Sequence, residues 1–288
     1  VTKDANIVVT FSEPMNQAAT QAAYQSVDLP AGDVTFGWDA SGTQLTVNPN
    51  TDLTYLATTD SAAAPKMYSF SLTNTATDLA GNKLANKSSS FSTLKQVTNI
   101  LTVADTKTLT SDGRVFFGPG VNMAVGDDSS NTTYRSFVSF DIGSLPATLT
   151  GARILDANLK YEVVSVNFSP FEDLATCSGG AAGICTHLII ESVNYGPALE
   201  ATDFEVAPLR EVRAYRQRVV QEPTVGDNTV NVLTSVQDDQ DNRATRGGRS
   251  QFRYRFSKLT DADKTPDALL IKGGLSSSPS LEVVYLFP

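Results

Sequence analysis

The stretch from Tyr134 to Ile142 alternates with period two. Tyr134, Val138, Phe140 and Ile142 fall on one face of an extended strand, and Arg135, Ser139 and Asp141 fall on the other. After a turn through Leu145 and Pro146 the pattern resumes. Leu155, Ala157, Leu159, Tyr161 and Val163 face one way, while Asp156, Asn158, Lys160 and Glu162 face the other. Such alternation predicts half-buried antiparallel sheet, with Arg135, Ser139 and Asp141 at the surface or at an interface. Gln251–Phe256 repeats it: Phe252, Tyr254 and Phe256 point to a core, and Arg253 and Arg255 point outward.

The first 95 residues show shorter runs of the same kind. Ile7, Val9 and Phe11 alternate with Val8 and Thr10, and Ser12-Glu-Pro-Met15 breaks the strand. Residues 17–26 fit one short helical turn. Phe36–Trp38, Gln44–Val47, Lys66–Leu72 and the surroundings of Phe91 read as strands. Asp39–Gly42, Asn48-Pro49 and Thr77–Leu84 read as turns or turn-rich loop. Residues 96–99 read as a short linker, and residues 100–288 as a second, larger domain. In that domain Pro208–Val220 fits either a helix or a helical turn followed by a strand.

Two families share these patterns. Ile7-Val-Val-Thr-Phe-Ser-Glu-Pro-Met15, Trp38 with Leu45-Thr-Val-Asn-Pro49, and Ala76-Thr-Asp-Leu-Ala-Gly-Asn82 resemble the bacterial Ig-like domain of S-layer and other surface proteins. The resemblance implies a seven-stranded sandwich used as a spacer or assembly module, without an active site. In such domains a further strand precedes the segment that matches Ile7–Phe11. Its absence here implies either a truncated chain or an open edge able to accept a strand from another chain. The opening motif, His187–Gly196 with Asp203-Phe204, Val230–Asp239, Gln251–Phe256 and Pro279–Tyr285 resemble DNRLRE-type extracellular β-sandwich domains, which implies a jelly-roll-like sandwich. The fold class expected is therefore all-β: two consecutive β-sandwiches, an Ig-like domain then a larger jelly-roll-like domain.

Composition narrows the function. At 288 residues there is room for two cores. A net charge of -9 argues against nucleic acid and anionic lipid as partners and for attraction of cations. No apolar run approaches the ~20 residues that span a bilayer. The chain starts at Val1 without a signal peptide, which reads as processing or truncation of a secreted or surface protein.

Cys177 and Cys185 bracket a Gly-rich loop. A disulfide there would contribute roughly 2–3 kcal/mol. A metal site is the rival reading, though His187 adds only one ligand and zinc needs four.

Candidate chemistry is sparse. His187 is the single histidine, and no Gly-x-Ser-x-Gly elbow accompanies it. Carboxylates that could serve a glycosidase are Asp127 with Asp128, Asp141, and Glu172 with Asp173. Asp141 fits better as the acceptor of a turn hydrogen bond. A structural calcium is the most credible ion, held by Asp238, Asp239 and Asp241 or by Asp261, Asp263 and Asp267, against the plainer reading of solvated acidic turns. No other cofactor is implied.

Arg243, Arg246, Arg249, Arg253 and Arg255 form a basic cluster suited to uronate-rich polysaccharide, or to pairing with acidic neighbours. Trp38 reads as a core residue of the Ig-like pattern. Two functions compete, neither enzymatic. One is a structural or adhesive building block of a surface layer or extracellular filament, whose partners are further copies or other surface proteins. The other is a carbohydrate-binding module with an Ig-like spacer.

Overall fold

The computed structural model describes residues 1–117, 122–147, 154–167, 188–214, 224–260, 262–274 and 278–288. Cys177, Cys185, His187, Glu172, Asp173 and Asp261 lie outside the described residues, as do residues 215–223 of the Arg-rich segment. The chain divides into two compact units, Val1–Thr98 with Leu286–Pro288, and Asn99–Tyr285. Both are built from strands packed as sandwich-like layers, so the all-β class holds.

Unit 1 contains β1 (Ile7–Thr10), α1 (Gln17–Ala22), β2 (Tyr24–Gln25), β3 (Val34–Trp38), β4 (Gln44–Pro49), β5 (Leu56–Thr58), β6 (Met67–Leu72) and β7 (Lys87–Ser92). One sheet runs β1-β4-β3 and the other β2-β6-β7. Their facing residues make the core: Ile7, Tyr24, Val34, Leu45, Val47, Tyr68 and Leu72 are all buried. Each such side chain contributes about 1.5–3 kcal/mol on burial. α1 starts at Asn16, whose side chain accepts from Ala19 N at 3.2 Å and satisfies one orphan donor of the first turn. Trp38 is half-buried and stacks on Phe11 with ring centroids 5.9 Å apart. Asn48-Pro49, expected as a turn, ends β4 instead and pairs with Val34 and Thr35.

β8 (Lys95–Thr110) carries the chain from unit 1 into unit 2, so residues 96–99, expected as a linker, belong to a strand. Unit 2 continues with β9 (Val115–Phe117), β10 (Met123–Asp127), β11 (Thr133–Asp141), β12 (Ile154–Asn167), β13 (Leu188–Val193), β14 (Pro208–Ala214) and β15 (Gly226–Asn231). After these come α2 (Leu233–Asp241), β16 (Arg249–Phe256), β17 (Ala268–Ile271) and β18 (Ser280–Phe287). The order β14-β13-β16-β11-β10-β17-β12-β18 is antiparallel at every register given.

β11 is paired along both edges, with β8 over Tyr134–Phe140 and with β16 over Ser136–Asp141. It is also covered on both faces. Arg135 and Ser139, expected at the surface, are buried together with Phe137, Val138 and Phe140. The cover on the polar face is the segment from Val193 to Val206, whose Tyr195, Leu199 and Phe204 pack on Phe137 and Leu109.

Two further expectations shift. A register irregularity in β12 between Ile154 and Asp156 turns Ile154 inward and leaves Leu155 exposed. Pro208–Ala214 is strand.

Candidate functional site

The arginines, suited by sequence to polysaccharide or to pairing with acidic neighbours, are engaged inside the protein. On adjacent strands, Glu191 of β13 sits opposite Arg253 of β16. Glu191 Oε2 accepts from Arg253 Nε at 2.9 Å and Nη2 at 2.6 Å, and from Arg255 Nε at 3.0 Å; its Oε1 accepts from Arg255 Nη2 at 2.6 Å. Arg253 Nη1 also donates to the carbonyls of Phe204 at 3.2 Å and Val206 at 2.8 Å. Arg135 of β11 donates to the same Phe204 carbonyl, pairs with Glu205 at 2.9 Å, and lies over the Phe204 ring at 4.2 Å. Gln251 takes Tyr195 N at 3.0 Å and gives to Gly196 O at 2.8 Å.

The polar face of the alternating strands is thus a hydrogen-bonding bed for a covering segment that, beyond Val193, lies outside the sheet ladders described. Burial works to raise the Glu191 pKa, but the hydrogen bonds from Arg255 and Arg253 outweigh it and hold the carboxyl below its usual range.

The other arginines are also engaged or set apart. Arg243 donates to the carbonyls of Leu145 at 2.7 Å and Gly143 at 2.5 Å. Arg246 pairs with Asp238 at 2.7 Å and with Asp239. Arg249 is half-buried opposite Asp141. Asp141 caps a short 3-10 turn by accepting from Gly143 N at 2.7 Å.

The first acidic set is not a loop. Asp238, Asp239 and Asp241 lie on α2, where buried Val236 and Gln240 recur at helical spacing. Asp239 is buried and accepts from Ser250 Oγ at 2.6 Å as well as from Arg246. Asp241 accepts from Gln237 at 2.9 Å. In the second set, Asp263 accepts from Thr265 N at 2.5 Å, and the Asp267 carbonyl accepts from Asp127 N at 2.8 Å. Among the described residues no three His, Cys, Asp or Glu side chains converge to hold a metal. Asp127 is buried, while Asp128 accepts from Ser130 N, Thr132 N and the Tyr134 hydroxyl.

Burial pushes the Asp239 carboxyl up from its ordinary 3.8 to about 6, against hydrogen bonds from Ser250 and Arg246 that pull it down. The folded protein therefore holds this proton more tightly than the unfolded chain does. Its contribution to stability is fully present below pH 3.8 and is lost as pH rises to about 6. In urea titrations across that window, Asp239→Asn should lack this fall relative to the unaltered chain; parallel curves would show that Asp239 does not titrate there.

The sheet edge that the Val1 backbone joins lies in unit 1. β7 is an edge strand of β2-β6-β7. Thr93 N donates to Lys66 O on the β6 side, so by alternation the N–H and C=O groups of Ser88, Ser90 and Ser92 point away from the sheet. At the end of this edge the Val1 amino group donates to Ser92 O at 2.7 Å, and Leu94 N donates to Val1 O at 2.9 Å. That pair of bonds is the pattern of a parallel ladder. Ser88 and Ser90 have no backbone partner on that side among the described residues.

At the other end of β7 a groove of about 560 Å3 opens between the β1 end (Val9, Phe11) and the segment leading into β7 (Leu84, Lys87). Val9, Phe11 and Leu84 are only half-buried, and Ser89, paired with the inward-facing Phe70, is exposed. The composition of Lys87-Ser-Ser-Ser-Phe-Ser92 hints at an edge, but sequence reasoning did not single out these residues.

Residues 1–93 match the family model of the bacterial Ig-like domain. No curated protein matches the chain. A crystal structure described as containing a xylogluco-oligosaccharide is similar at 9% identity and a TM-score of 0.26. The match covers 99% of this chain and 55% of that one, at a score too low to define a shared fold.

Proposed function

We propose that the chain is a non-catalytic structural or adhesive protein of the cell exterior, a building block of a surface layer or filament. In this reading unit 1 is its assembly module and unit 2 is a DNRLRE-type domain. The observation that carries it is the two-sheet sandwich of unit 1, a compact β module that offers sheet faces and edges for assembly. The bacterial Ig-like match over residues 1–93 supports it. No helix is long and apolar enough to cross a membrane among the described residues. The polysaccharide-binding alternative is the weaker reading, because Arg243, Arg246, Arg253 and Arg255, which suggested it, make internal contacts.

Assembly state tests the proposal. Light scattering over a concentration series should show association, and negative-stain microscopy should show regular oligomers or filaments. A monodisperse monomer up to the solubility limit overturns it.

A further inference from the structure

The geometry points to the outer edge of β3 as the contact through which two copies of the chain pair, strand against strand and antiparallel about Phe36. The inference rests on the assembly reading and deepens it by naming the surface and the partner.

β3 ends the β1-β4-β3 sheet, and among the described residues it pairs with β4 alone. Asp39 N donates to Gln44 O and Asn50 N donates to Asp33 O, so Asp33, Thr35, Gly37 and Asp39 turn their backbone groups toward β4. By alternation the N–H and C=O groups of Val34, Phe36 and Trp38 point the other way. None of the three has a backbone partner on that side among the described residues. The chain before and after β3 is described, and neither flank lies along this edge.

Edges that are kept from pairing carry charge, proline or bulges. β14 has all three, with Pro208, Arg210, Glu211, Arg213 and two shifts of register. β7 is joined by Val1, and β1 turns only Val8 and Thr10 outward. β3 reads Val-Thr-Phe-Gly-Trp, without charge, proline or register shift.

A second copy is the occupant that this edge fits. Phe36 is the middle one of the three outward-facing residues, so a two-fold axis through it lets it exchange both bonds with its own counterpart. Val34 then faces Trp38 of the second copy, and the pair makes about six backbone hydrogen bonds. The alternate positions set Thr35 against Gly37, both exposed. A Cβ at Gly37 meets nothing within 4 Å, so the outer face has room for the Thr35 side chain. The strand brings no charge of its own to the axis, although the chain carries -9. Exposed Asp33 and Asp39 fall opposite each other at both ends, so the pair is weak at low salt and tightens as ions screen them. Such a contact closes at two copies, and longer assembly needs a second surface.

The test uses the whole chain. Sedimentation equilibrium should show a monomer–dimer equilibrium that added salt strengthens. Gly37→Glu puts two more carboxylates beside the axis, so the dimer should weaken at least about tenfold while the melting temperature holds. Gly37→Thr should keep the dimer. With Thr35→Cys and Gly37→Cys in one chain, oxidation should link position 35 of one copy to position 37 of the other, and peptide mapping reads that link. Thr35→Cys alone should not cross-link, because positions 35 of the two copies lie too far apart for a disulfide. A dimer that salt weakens, a dimer indifferent to Gly37→Glu, or association without the 35-to-37 link overturns the inference and leaves the assembly reading standing. A chain that stays monomeric at every concentration overturns both.

Discussion

Glu191→Ala should lower the stability of unit 2 by about 3–5 kcal/mol, the usual effect of removing one partner from a buried ion pair. Glu191 is 2% exposed and Arg253 is 3% exposed. The carboxylate takes four hydrogen bonds from two guanidinium groups. Arginine does not shed its proton in proteins, so the variant leaves Arg253 charged and buried with only the Phe204 and Val206 carbonyls as acceptors. Arg135 lies beside the same carbonyl and adds a like charge. The segment from Tyr195 to Val206 should loosen as well, because Arg253 is one of the side chains that hold it.

For a unit of this size the loss corresponds to a melting temperature roughly 10 °C lower. Glu191→Gln, which keeps an acceptor oxygen but no charge, should fall between. Scanning calorimetry checks both. A loss under about 1 kcal/mol would mean that water reaches the cluster and screens it as it does a surface pair.

Gly126→Ala should cost at least about 3 kcal/mol. Gly126 has φ +132°, where side chains are rarely accommodated, and a Cβ there would lie 1.8 Å from the Asp267 carbonyl oxygen. That oxygen cannot retreat cheaply, since it accepts from Asp127 N at 2.8 Å. The glycine is also paired on both sides, with Tyr134 of β11 and Ala268 of β17. Gly226→Ala is the comparison: its φ is +105°, but nothing lies within 4 Å of the new Cβ. Strain without a clash should cost about 1–2 kcal/mol. Equal losses in denaturant titrations would show that backbone conformation, and not the approach of β10 to Asp267, sets the cost.

The alternation along β11 and β16 was legible because period two records which residues share a face. It does not record what covers that face. Arg135, Ser139 and Arg253 were placed on the correct side of their strands without the cover that buries them, because Phe204 of that cover lies 69 residues from Arg135 and 49 from Arg253 in sequence. Glu191 stands out in sequence only as a member of the family-like segment His187–Gly196, for the same reason. α2 was missed because its buried positions include Ser235, Asp239 and Gln240, so polarity hid the helical spacing. Leu155 was placed inward because a bulge changes register without any mark in composition. The Ig-like resemblance implied either a truncated chain or an open edge in unit 1. The direction of the ladder at that edge needed the positions of Val1, Ser92 and Leu94.

The bed of arginine, glutamate and glutamine beneath Tyr195–Val206 bears on tolerance of salinity. Pairs at the water boundary, such as Lys3 with Asp52 and Arg114 with Asp112, weaken as added ions shorten the Debye length from ~10 Å at 0.1 M to ~3 Å at 1 M. Counterions have little access to Glu191 and Arg253. A molecule that places such charges under a polypeptide cover loses far less of their attraction in brine than it loses from its surface pairs.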